Sequence, residues 1–155
     1  MKLGDVLRKE RERKKLTLDD AASRLGISVE EYQEMEAGNS PAEEWGPRLA
    51  LIAMKLQAAT SRLISETGKS GDATRAGGQC GKLIRARREK MGVSQQELAA
   101  MIETSASEMH RIEEGETPLE TYGPILLSFS ELVDQPIFNL IYPCGLPLDK
   151  LSDYP

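Results

Sequence analysis

The sequence predicts an all-α protein built as two tandem five-helix domains joined by a Gly/Ser/Thr-rich linker. Three observations carry this. Apolar residues recur at helical spacing, with no strand-like alternation except near Ile141-Tyr142. The chain also matches itself, residues 3–64 lying on 80–141 without a gap. Between the copies, SETGKSGDATRAGGQ (65–79) has no apolar residue larger than alanine and reads as a flexible linker.

Roughly a quarter of the paired positions are identical, which two copies of one fold explain better than chance. Gly4 meets Gly81, Arg8 meets Arg85, and Arg11-Glu12 meets Arg88-Glu89. Glu36 and Gly38 fall on Glu113 and Gly115, Pro41 on Pro118, and Gly46-Pro47 on Gly123-Pro124. The copies set domain boundaries at 1–64 and 80–142. A tail at 143–155, with Pro143, Pro147 and Pro155, is expected to be irregular and to pack Leu146, Leu148 and Leu151 on the second domain.

The first helix of each copy covers roughly 3–14 and 80–91, with Val6-Leu7 and Leu83-Ile84 inward. The next two form a helix-turn-helix unit, clearest in SQQELAAMIETSASEMHRIEEG, residues 94–115. Ser94 is its N-cap, with Glu97 completing a capping box. Leu98, Ala99 and Ile102 form one apolar face, and Glu103-Thr104-Ser105 breaks the helix. A second helix runs from about Ala106 to Glu113 with Met109 and Ile112 inward, and Gly115 caps it in the left-handed region. Pro47 and Pro124 suit the first position of a fourth helix, with Gly46 and Gly123 just before it. Its buried stripe is Leu49, Ile52 and Leu56, or Leu126, Phe129 and Val133. A short last helix carries Leu63-Ile64 or Leu140-Ile141. Met91, Met101 and Met109 read as core fillers, and Trp45 and Tyr122 as plugs before the Gly-Pro pairs.

Composition narrows the function. The net charge of −5 argues against a polyanionic partner, but its distribution is polarised. Basic runs at 8–15 and 82–90 stand against acidic stretches at 30–36 and 113–120. Cys80 and Cys144 lie far apart and His110 is the sole histidine, too few ligands for a zinc site, so both thiols are expected reduced. GGQCGK lacks a phosphate loop's first glycine and Ser/Thr, Ala76 and Leu83 standing there. No catalytic constellation, cofactor loop or apolar run long enough to span a membrane is present. The N-terminus has no apolar signal region. A cytoplasmic protein that is not an enzyme is expected, with no cofactor and no metal.

The second copy resembles the Cro/lambda-repressor-like, or xenobiotic-response-element, helix-turn-helix family. The resemblance rests on the basic first helix IRARREKMGVS, then QQELAAM, SASEMHRIEEG and Pro118. Gln95, Met109, Ile112, Glu113 and Gly115 occupy the family's motif positions. The resemblance implies double-stranded DNA as partner. Gln95 would bind a phosphate beside Ser94 and Gln96, and Arg85 and Arg88 would add backbone contacts. Ser105, Ala106, Ser107, His110 and Arg111 would face base edges or flanking phosphates. Glu113 matches a structural glutamate.

The first copy departs from that pattern. Leu18 replaces the glutamine, and VEEYQEME (29–36) carries Glu30, Glu31, Glu34 and Glu36 and no cation. Carboxylates facing phosphate oppose binding, so this helix is not expected in a major groove. Leu25, Ile27, Tyr32 and Met35 still make a core face, while Arg8, Arg11, Lys14 and Lys15 are left as weaker DNA or partner contacts. The expected function is a prokaryotic DNA-binding transcriptional regulator, repressor-like and homodimeric. Its second domain reads the operator, and its acidic first domain serves dimerisation or a regulatory protein partner. The alternative is a protein-binding regulator, an antiactivator or inhibitor, that uses the fold without reading DNA.

Overall fold

The computed structural model describes residues 2–75, 77 and 79–144, and every regular element among them is helical. The first repeat contains α1 (Leu3–Arg13), α2 (Leu18–Leu25), α3 (Val29–Ala37) and α4 (Ala42–Lys55), then a 3-10 turn at Thr60–Leu63. The second contains α5 (Gln79–Lys90), α6 (Gln95–Met101), α7 (Ala106–Glu113), α8 (Leu119–Leu132) and α9 (Ile137–Ile141). The protein is an all-α tandem of helix-turn-helix units. No helix among the described residues is long and apolar enough to cross a membrane.

Local chemistry sets the boundaries. Thr17 and Ser94 cap α2 and α6 with complete capping boxes, and Ser28 and Ser105 cap α3 and α7. The chain enters the left-handed region at equivalent places in both repeats: Lys15 and Gly92, Gly26 and Glu103, Gly38 and Gly115, Gln57 and Asp134. Only some of these are glycine, and a side chain with a Cβ is strained there. Lys15→Gly, which installs the residue found at Gly92, is expected to raise stability by about 0.5–1 kcal/mol in urea unfolding. A fall in stability would contradict that assignment of strain.

The fourth helix begins earlier than its Gly-Pro pair suggests. Pro41 and Pro118 take the N-cap positions, so Pro47 and Pro124 lie inside α4 and α8. An interior proline removes one backbone hydrogen bond. The preceding Gly46 and Gly123 offer the proline ring no Cβ to strike. They also let α1 and α5 close in: a Cβ on Gly46 would lie 3.0 Å from Leu3 Cδ2, and one on Gly123 3.1 Å from Cys80 Sγ. Glu43 and Glu120, four residues before each proline, cap those helices. Glu43 accepts from the Leu3 and Gly4 amides at 3.1 and 2.6 Å, and Glu120 from Cys80 and Gly81 at 3.1 and 2.9 Å.

The repeats interlock around one apolar core. α4 packs against α8, and Leu49, Ile52, Leu56, Leu126, Phe129 and Val133 are all buried as the spacing predicts. α2 packs on α8 and α6 on α4. The Tyr32 ring of α3 stacks on Phe129 at 6.4 Å. The last elements are exchanged as well, Thr60–Leu63 packing on α5 and α9 on α1. Cations close the arrangement: Arg13 donates to the Val133 carbonyl at 2.8 Å, and Arg87 to the Leu56 and Gln57 carbonyls at 2.9 and 3.0 Å. Each repeat's first helix therefore caps the C-terminus of the other's longest helix, where a positive charge is favoured.

Other expectations change. Met109 is buried and Met91 packs against the core, but Met101 is 39% exposed; it occupies the place of solvent-facing Arg24. Ile141-Tyr142 is no strand, because α9 runs directly into a 3-10 turn at Tyr142–Cys144 that lies on α1. Residues 65–75, read as flexible, are held to the second repeat. Ser65 is fully buried, and Ser70 donates to Glu131 through both its amide and its hydroxyl. Leu146, Leu148 and Leu151 lie outside the described residues.

Candidate nucleic-acid interface

Three helices meet on one buried carboxylate. The N-terminus of α5 runs hard against the end of α7: a Cβ on Gly81 would stand 2.5 Å from the carbonyl oxygens of Ile112 and Glu113. That contact sets Arg85 and Arg88 over Glu113. Arg88 donates from Nε and Nη2 to the two Glu113 oxygens at 2.6 and 2.9 Å, and from Nη1 to the Val93 carbonyl at 2.8 Å. Arg85 Nε donates to the same carboxylate at 3.1 Å, and Gln95 Nε2 at 3.0 Å. Burial alone would push the Glu113 carboxyl up, but the bonds from Arg88, Gln95 and Arg85 outweigh it and hold it below the ordinary carboxylate range.

The first repeat reproduces the central pair. Arg11 donates to Glu36 at 2.6 and 3.2 Å and to the Leu16 carbonyl at 2.8 Å. Leu18 stands in place of Gln95, and Arg8 pairs with Asp5 at 3.3 Å instead of with the shared glutamate.

Several basic residues expected on DNA are thereby occupied. Arg88 is only 9% exposed and gives three of its five N–H donors to Glu113 and Val93, so it is held as a structural cation and does not stand free. Arg11 has the same role on Glu36. Lys14 reaches across to Asp134 at 2.6 Å. Gln95 is half-buried with its amide on Glu113, while Arg85 is 35% exposed and also donates to Glu114 at 2.8 Å. Arg8 and Lys15 are exposed. Pairing arginine with a glutamate one repeat-motif away was the sequence signal for this: Arg11 and Glu36 are identical to Arg88 and Glu113.

The outward face joins α6 and α7. Ser94, Gln96, Ser105, Ala106, Ser107, His110 and Arg111 are all exposed, on two helices that pack against each other. Arg111 is folded back, donating to Glu108 Oε2 at 2.8 Å and to the Glu116 carbonyl at 3.2 Å. His110 Nε2 lies 3.8 Å from Glu114. Exposed Glu97, Glu103, Glu114 and Glu116 flank the face. The corresponding face of α3 presents Glu30, Glu31, Gln33 and Glu34. Sequence reading missed Arg48, which reaches from α4 of the first repeat to Glu108 at 3.4 Å while lying 4.7 Å over the Trp45 ring. Nothing in a single repeat signals it, because its counterpart in the second is Ile125.

A family model described as a helix-turn-helix domain matches residues 2–52 and again 79–124. No curated protein and no solved structure matches the chain.

Proposed function

The chain belongs to the helix-turn-helix domain family, with two copies of the Cro-type unit, and from that premise we propose that it is a repressor-like transcriptional regulator whose second copy reads operator DNA. One observation supports this most: α7 offers Ala106, Ser107, His110 and Arg111 to solvent where α3 offers Glu30, Gln33 and Glu34. Small and cationic residues fit a groove lined by phosphates; carboxylates do not. The fold-back of Arg111 onto Glu108 is no obstacle. An exposed pair of this kind contributes about 0–1 kcal/mol, less than one bidentate base contact returns. Two chains, each presenting α7, would occupy half-sites about 34 Å apart.

The test is a titration with duplex DNA from upstream of the chain's own reading frame at several salt concentrations. Each chain is expected to make about three phosphate contacts, giving a log–log slope near −3 per chain. Arg111→Ala is expected to lower the preference for operator over random duplex roughly tenfold. Affinity that ignores salt, or a preference untouched by Arg111→Ala, would sink this reading.

A second reading has its own support. Arg11, Arg13, Lys14, Arg87 and Arg88 are all engaged within the protein, and the α6–α7 face carries more carboxylates than cations. A protein-binding regulator would look the same. Absence of DNA binding at low salt would select it.

A further inference from the structure

The stripe of α5 that turns away from α7 carries Leu83, Ala86, Arg87 and Lys90. With Leu63 from the 3-10 turn of the first repeat, Leu83 and Ala86 floor an open groove of about 480 Å³. Arg62, Arg87 and Lys90 stand around it, and Glu66 is the one carboxylate among its lining residues. The Arg87 guanidinium is turned to the carbonyls of Leu56 and Gln57, which do not neutralise it. On a chain of net charge −5, this rim is a local reversal of sign.

The internal symmetry indicates what such a surface accepts. The same stripe on α1 begins at Val6, which is 5% exposed. There the chain runs on from α9 into Tyr142–Cys144, which lies on α1, with Phe138 and Tyr142 rings 5.7 Å apart and Cys144 against the core. In the first repeat the residues after the 3-10 turn continue instead to α8, where Ser70 is bonded to Glu131. Beside α5, Leu83 is left half-buried and outside the core cluster. Among the described residues, one half of the fold thus seats an aromatic-bearing segment on its first helix, while in the other only Glu66 of the equivalent residues 65–67 lines the groove.

We propose that this groove docks an acidic, leucine-bearing segment of a partner protein. The cationic rim selects negative charge. The floor decides against a nucleic-acid backbone, since a phosphate gains nothing from the accessible apolar surface of Leu83 and Ala86. The open shape suits an extended segment better than an enclosed small molecule. This assignment does not depend on whether α7 reads DNA.

Fluorescence anisotropy of a labelled peptide, EDLLDLLE, titrated with the full-length chain is the test. Saturable binding is expected, weakened at least about fivefold between about 50 and 300 mM salt. Leu83→Asp is expected to weaken it at least about tenfold, as anchors at a groove centre do. The double variant Arg62→Glu/Lys90→Glu, at exposed positions, should match that loss and provides a second reading if Leu83→Asp perturbs folding. The serine peptide EDSSDSSE should not bind. No saturation at millimolar chain, equal binding of the serine peptide, or indifference to the double variant would each overturn the proposal. Stoichiometric displacement by duplex DNA would overturn it in favour of a nucleic acid. A tenfold gain in peptide affinity on changing Leu146, Leu148 and Leu151 to serine would overturn it in favour of the chain's own tail.

Discussion

Replacing Arg88 with methionine is expected to destabilise the protein by about 3–5 kcal/mol, because it leaves a carboxylate buried with too few donors. The urea midpoint should fall at unchanged slope. The Glu113 side chain is fully buried, and Arg88 supplies two of its four hydrogen bonds. Arg85 and Gln95 remain but both bond the other oxygen, Oε1, while Arg88 Nε serves Oε2. The double variant Arg88→Met/Glu113→Leu should recover most of the loss, since removing both charges removes the desolvation cost with the attraction. The equivalent Arg11→Met should cost less, about 2 kcal/mol, because Glu36 keeps partial access to water. Equal losses at the two sites would contradict this account. Acid provides an independent check. A depressed carboxyl contributes stability that is present above its unfolded pKa of about 4.3 and lost as pH falls through the lower folded value. Below about pH 4, therefore, the parent should lose stability faster than the double variant.

The internal repeat makes most of the fold readable in the sequence. Identities at Gly38/Gly115, Pro41/Pro118 and Leu63-Ile64/Leu140-Ile141 mark the ends of equivalent elements, and helical spacing identifies the buried stripes of α4 and α8. Pro47 and Pro124 misled because proline is usual at a helix start, and the compensation that admits it inside a helix is tertiary. Gly46 needs to approach Leu3, and Glu43 needs to cap α1, before that placement makes sense. The site was half readable. Exposure of Ala106, Ser107, His110 and Arg111 follows from the period of α7. Withdrawal of Arg88 and Arg11 from the surface is marked only by the repeated Arg–Glu pair 25 residues apart, and that of Lys14 by nothing, since its partner lies 120 residues away and a run of cations looks alike whether solvated or paired.

The exchange between repeats predicts that neither half folds alone. Fragments 1–64 and 79–144, expressed separately, are expected to show little helix and no cooperative unfolding at micromolar concentration, and to regain both when mixed in equal amounts. Leu49, Ile52 and Leu56 are fully buried in the intact chain, in which α4 packs against α8. Uncovering each such side chain costs about 1.5–3 kcal/mol, and a chain of about 60 residues has no such margin. Cooperative unfolding of 1–64 as a monomer, at the stability of the intact protein, would show that the repeats are independent after all. The consequence for function is direct. α6 rests on α4, and Glu108 of α7 is paired with Arg48 of the first repeat. The acidic first repeat, whatever its own α3 contacts, is therefore half of the platform that holds α7 in place, and an isolated second repeat should lose the binding proposed for α7 along with its fold.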